Sequence, residues 1–118
     1  MGDYRLASAE EKFAEMIWAN APVSSTELVK LCEKEMNWKK STTYTMLKKL
    51  CEKGIVQNHD AIVSVLISKE EFYGRQSRRY VNDVFAGSLP EFLTAFCGGR
   101  KLSKEEVEEM KRFIEENS

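Results

Sequence analysis

The chain has 118 residues, 42% of them hydrophobic and 31% charged, and 18 basic against 19 acidic side chains leave a net charge of -1. Length and apolar content fit one ordinary globular domain or two small lobes; with only 6 Gly and 2 Pro, disordered and collagen-like chains are excluded. No run approaches the ~20 apolar residues that span a bilayer, and the opening Met1 to Arg5 stretch lacks a signal peptide's apolar core, so a mainly α, cytoplasmic protein without membrane contact is expected.

Five Ser-x-x-Glu strings, starting at Ser8, Ser24, Ser68, Ser88 and Ser103, carry the capping-box pattern of a helix start. The first helix is expected from about Ala9 to Ala19, with Ala9, Phe13, Met16 and Ile17 on one face and Asn20-Ala21-Pro22 closing it. The second follows Ser24, carries Leu28, Leu31 and Cys32 inward, and fades between Lys34 and Asn37. A third begins at the hydroxyl run Ser41-Thr42-Thr43 and stops at Gly54, the expected left-handed residue after Lys53. At about 100° per residue, Thr43, Met46, Leu47 and Leu50 share its dry face, while Ser41, Tyr44, Thr45, Lys48, Lys49 and Glu52 point the other way.

After Gly54 the period changes. Ile55-Val56-Gln57 and Ala61 to Ile67 are rich in β-branched residues and read as a hairpin turning at Asn58-His59-Asp60. Three helices followed by a hairpin is the order of a winged helix-turn-helix, with the hairpin as wing. Residues 1–67 are therefore expected to form a winged-helix DNA-binding domain and residues 68–118 a helical dimerisation domain. In the latter, a helix from Lys69 to about Phe85 holds Phe72, Tyr80, Val81, Val84 and Phe85; Gly87 breaks it. Pro90 then sits in the first turn of a short helix presenting Leu89, Phe92, Leu93 and Phe96. Gly98-Gly99 ends that helix, and a last one from Lys104 to about Glu116 shows Val107, Met110, Phe113 and Ile114. Three such short amphipathic helices make a poor core by themselves, so these apolar faces are expected to be buried against a second copy.

Charge is unevenly distributed. From Lys34 to Lys53 there are six lysines against two glutamates, whereas the last 18 residues carry six glutamates against four basic residues. One end of the molecule should attract polyanions and the other repel them. Cys32, Cys51 and Cys97 are odd in number, widely spaced and without a C-x-x-C pair, so reduced thiols are expected and no metal or other cofactor. His59 is the single histidine, and G-x-S-x-G, Walker and H-E-x-x-H motifs are absent. An enzyme is not indicated.

The string Trp38-Lys39-Lys40-Ser41-Thr42-Thr43-Tyr44-Thr45-Met46-Leu47-Lys48-Lys49-Leu50-Cys51-Glu52-Lys53-Gly54 resembles the recognition-helix signature of the penicillinase-repressor (BlaI/MecI/CopY) family. Further matches are Glu10 to Trp18, Thr26-Glu27-Leu28, Phe85-x-Gly87-Ser88 and Leu102-Ser103-x-Glu105-Glu106, so the resemblance runs through nearly the whole chain. It implies a homodimeric transcriptional repressor whose winged-helix lobes bind a palindromic double-stranded DNA operator, often with TACA-type half-sites. In some relatives an antirepressor protease cuts the dimerisation lobe at an Asn-Phe bond, and copper-responsive relatives carry a C-terminal C-x-C hook. The aligned dipeptide here is Ala95-Phe96, and no cysteine follows Cys97, so the inducing signal stays open.

With residues 41–53 in the major groove, Ser41 and Thr42 can reach base edges, the methyl of Thr45 or the ring of Tyr44 can touch a thymine methyl, and Lys39, Lys40, Lys48 and Lys49 can hold phosphates. Lys49 stands where the family commonly has arginine, and the wing tip carries Asp60 where a phosphate contact would want a base, so the wing is expected to add little affinity. Plainer readings stand beside these. Ser41 to Thr43 can simply cap the helix, the lysines, Arg75, Arg78 and Arg79 can line solvated faces, and Trp18 and Trp38 can be packing anchors. The alternative function is a winged-helix protein-interaction module without sequence-specific DNA binding; a cysteine serving as redox or metal sensor would be an added function.

Overall fold

In a computed structural model, residues 6–118 are described; the Met1 to Arg5 stretch, and with it the signal-peptide reading, lies outside them. The element order is α1 (Ser8–Asn20), β1 (Val23–Ser24), α2 (Ser25–Met36), α3 (Lys40–Glu52), β2 (Val56–His59), β3 (Ile62–Val65), α4 (Lys69–Phe85), α5 (Leu89–Cys97) and α6 (Lys104–Glu116). The chain divides into two compact units, one through Arg78 and one from Arg79, so the division falls within α4.

The first unit is a winged helix. Phe13, Ala14 and Ile17 of α1, Leu28 and Cys32 of α2, Leu47 and Leu50 of α3, then Ile55, Val56, Val63 and Phe72 form one buried core. Ala9, expected on the inner face of α1, is exposed, and Ala14 is buried in its place. The inner stripe of α1 is thus Phe13, Ala14 and Ile17. Helix α1 also starts one residue early. Ala7 occupies the N-cap and has no side-chain oxygen to offer, so the cap expected at Ser8 is not formed. At the other four sites the serine accepts the expected amide, from Glu27, Glu71, Glu91 and Glu106, at 3.1 to 3.2 Å.

Helix α2 ends at Asn37, whose left-handed backbone (φ 55°) reverses the chain; its N–H donates to the Glu33 carbonyl and that of Trp38 to the Cys32 carbonyl. After three residues α3 begins at Lys40, with Lys39 at the N-cap and no side-chain cap. The hydroxyl run therefore lies inside the helix, because the turn has already set its start. Gly54 (φ 76°) ends α3 as expected, with the Ile55 N–H closing on the Leu50 carbonyl.

The wing differs from the expected hairpin in two ways. Asn58 and His59 belong to β2, opposite Val63 and Ile62, so the turn is the pair Asp60-Ala61. Both have positive φ, 50° and 59°, as a type I′ turn requires. The sheet also has a third strand: β1 pairs antiparallel with β3, giving the order β1-β3-β2. Two residues are too few to leave a periodic signal, and only pairing with β3 makes them a strand. Both tryptophans are packing anchors. Trp38 packs on Phe13 at 5.4 Å between centroids. Trp18 meets Phe72 at 5.6 Å and donates its indole N–H to the Ile67 carbonyl at 3.0 Å.

The second unit holds the end of α4 with α5 and α6. Tyr80, Phe85, Phe92 and Phe96 form a chain of ring contacts with centroids 5.6 to 6.2 Å apart. Ala86 and Gly87 adopt left-handed backbone at the end of α4, and the Gly87 N–H closes on the Val81 carbonyl. Ser103 and Glu106 complete a reciprocal capping box at the start of α6, with bonds of 3.1 and 2.9 Å. Neither α5 nor α6 contributes a buried residue.

Candidate nucleic-acid interface

Helix α3 is two-faced. Thr43, Leu47 and Leu50 are buried and Met46 is half-buried, while Lys39, Lys40, Ser41, Thr42, Tyr44, Thr45, Lys48 and Lys49 are all exposed. The dry face packs on the core and thereby aims the other outward; the eight residues expected to meet DNA lie together on and just before this one helix. With the side-chain cap absent, Ser41 and Thr42 are free of that structural duty. Thr45 Oγ1 donates back to the Ser41 carbonyl at 2.9 Å, so its methyl group is what it has left to offer a ligand.

Two further contacts shape this face. Tyr44 donates its hydroxyl proton to Ser25 Oγ at 3.3 Å, and Ser25, buried at the start of α2, donates its own backbone N–H to the Ala61 carbonyl at 2.8 Å. One serine thus ties α2, the second turn of α3 and the wing turn together. Sequence reasoning missed Ser25, which lies 19 positions from Tyr44 and carries no motif. At the far end of α3, Lys53 Nζ donates to Glu10 Oε2 at 2.9 Å. That bond holds the Glu10 carboxyl below its ordinary value, and it commits Lys53 to α1 rather than to the basic face.

The wing tip is polar and not basic: His59 Nε2 lies 3.3 Å from Asp60, both strongly exposed. At the junction of α1 and α4, Tyr73 donates toward Glu15 at 2.9 Å and toward Glu11 at 3.2 Å, and Lys69 pairs with Glu15 at 2.8 Å. Burial, then the Glu15 bond, raises the Tyr73 hydroxyl well above its ordinary value. Arg75 pairs with Glu71 at 2.6 Å and Arg79 with Asp83 at 3.6 Å along α4. Burial pushes the thiols of Cys32 and Cys51 upward, away from thiolate reactivity. Among the described residues no group of three or more His, Cys, Asp or Glu could hold a metal ion, and no helix is long and apolar enough to cross a membrane.

The expected dimerisation residues fall in the second unit. Val84, Leu89, Phe96, Phe113 and Ile114 are more than half exposed, and Val81, Phe85, Phe92, Leu93, Val107 and Met110 are half-buried. Five large apolar side chains are thus exposed within one unit, on α4, α5 and α6.

The family model described as Penicillinase repressor matches residues 6–116. The Penicillinase repressor of Bacillus licheniformis is 25% identical over 117 residues, covering 96% of this chain and 91% of that one. The Methicillin resistance regulatory protein MecI of Staphylococcus aureus (strain Mu50) is 23% identical over 115 residues, with 94% of each chain covered. Among solved structures, the DNA binding domain of the repressor BlaI superposes with a TM-score of 0.54 at 24% identity, covering 60% of this chain and 93% of that domain.

Proposed function

Because the chain belongs to the penicillinase repressor family, we propose that it is a homodimeric transcriptional repressor that places α3 of each protomer in the major groove of a palindromic operator. The observation that carries this is the outward face of α3, where Lys39, Lys40, Ser41, Thr42, Tyr44, Thr45, Lys48 and Lys49 are exposed together on a helix fixed by its buried side. The residues near the helix start reach base edges, and the lysines neutralise phosphates and set the register. The wing, with Asp60 at its tip, adds little affinity.

Dimerisation follows from the same physics. A lobe with about four phosphate contacts binds weakly at physiological salt, whereas two linked lobes gain effective concentration and match a two-fold site. The exposed apolar residues of α4, α5 and α6 supply the contact surface for a second copy, and separating the protomers releases the operator. Repression requires neither a cofactor nor a catalytic group. An antirepressor protease is one candidate inducer, acting on the dimerisation lobe.

The test is selection of duplexes from a randomised pool by the full chain, followed by fluorescence anisotropy on the selected duplex and a scrambled one at two salt concentrations. The expected result is an inverted repeat bound selectively by two protomers with strong salt dependence. Absence of any enriched sequence and of binding at low salt would replace the repressor with a protein-interaction module.

A further inference from the structure

We infer that Ser25 is a positioning residue for base readout: by accepting the hydroxyl proton of Tyr44 it turns the tyrosine ring into a contact for a thymine 5-methyl group. This rests on the repressor reading above and names the part of the operator that one side chain senses. Tyr44 sits on the outward face of α3 between Ser41 and Lys48, yet its hydroxyl is turned back to Ser25 Oγ at 3.3 Å. Ser25 is only 5% exposed. It is the first residue of α2, and its N–H, one of the helix-start amides without an intrahelical acceptor, is held by the Ala61 carbonyl at 2.8 Å. The acceptor is therefore anchored from two sides, by its helix and by the wing turn.

The chemical consequence lies in what Tyr44 has left to offer. A phenol free to rotate reads a base edge as donor or acceptor; held against Ser25 Oγ, its hydroxyl is kept from the base edges and its ring is fixed in place, so Tyr44 offers an apolar ring whose position depends on the tether. The apolar feature of the major groove is the thymine methyl group, which cytosine and uracil lack. Thr45, with its hydroxyl committed to the Ser41 carbonyl, offers a methyl group to the same chemistry, so the experiment must separate the two.

The full chain and the duplex it selects are used, with each thymine replaced in turn by deoxyuridine. At one thymine per half-site, uracil weakens wild-type binding about fourfold, the worth of one buried methyl group. Tyr44→Phe keeps the ring but loses the tether, and Ser25→Ala loses the acceptor; each reduces the uracil effect to less than about twofold. The double variant goes no lower than either single variant, a non-additivity that two independent structural defects would not give. Thr45→Ser, which removes a methyl group and keeps the hydroxyl, leaves the effect intact. Should Ser25→Ala unfold at the assay temperature, Tyr44→Phe decides alone, since it removes one atom from a partly exposed side chain. Tolerance of uracil at every thymine, persistence of the effect in both tether variants, or its loss in Thr45→Ser overturns the inference while leaving the repressor reading in place. A wild-type chain that selects no sequence overturns both.

Discussion

Replacing Ala61 by glycine should stabilise the protein. Ala61 is the second residue of the two-residue turn joining β2 and β3, and its φ of 59° puts an L side chain in the left-handed region. There Cβ crowds the following carbonyl oxygen, at a cost of roughly 1–2 kcal/mol. Glycine removes the crowding but adds freedom to the unfolded chain, which returns about 0.4–1 kcal/mol of the gain. The Ala61 methyl is exposed, so its removal leaves the packing unchanged, and the carbonyl that accepts from Ser25 is backbone and survives. The net expectation is a gain of about 0.5–1 kcal/mol, or roughly 2–6 °C in melting midpoint. Urea denaturation followed by circular dichroism, at fixed protomer concentration because the proposed dimer would add its own stability, measures this directly. The midpoint should rise with the slope unchanged, and Ala61→Val should lower it. An unchanged or lower midpoint in Ala61→Gly would refute the assignment of strain to this turn.

Replacing Lys48 and Lys49 together by alanine should weaken binding to all duplexes alike and flatten the salt dependence, by about 0.9 in the logarithmic slope for each phosphate that is no longer neutralised; unchanged affinity at low salt would remove them from the interface. Phe96→Asp, which places a charge in the exposed apolar surface of α5, should give monomers in sedimentation and abolish operator binding. The Glu10 carboxyl is lowered from 4.5 by its bond to Lys53, so its contribution to stability is complete above pH 4.5 and lost as pH falls through the lowered value. Glu10→Gln should therefore be less stable at neutral pH, with a shallower acid limb in pH-dependent unfolding. Tyr73 has the opposite sign: its hydroxyl is raised above 10.0 by burial and by Glu15, so its contribution is complete below pH 10 and lost as pH rises through the raised value. Tyr73→Phe should flatten the alkaline limb of the same curve.

Helix order, the two-faced α3 and the wing were legible in the sequence because each rests on local rules: apolar spacing, serine caps, glycine at a helix end and β-branched runs. Four of five caps formed where Ser-x-x-Glu stands. The exception is Ser8, where the helix starts one residue earlier than the motif says, with Ala7 at the N-cap and Glu10 in place of Glu11 reaching back to the N-cap amide. The hairpin turn was displaced for a similar reason. Asn58-His59-Asp60 has turn composition, but register across β2 and β3 is set by burying Val56 and Val63 on one side of the sheet, and that moves the reversal to Asp60-Ala61.

The residues of the basic face could be named from the sequence, since spacing along a single helix fixes which side chains share a side. Only the tertiary structure decided what holds that face in place. The Ser25 to Tyr44 tether, the Lys53 to Glu10 pair that withdraws one lysine, and the Ala61 carbonyl that caps α2 join residues 19, 43 and 36 positions apart. Such pairings leave no period in a sequence. They exist because the buried stripes of α1, α2, α3 and the wing close on one core and so bring three pairs of polar groups within hydrogen-bonding distance.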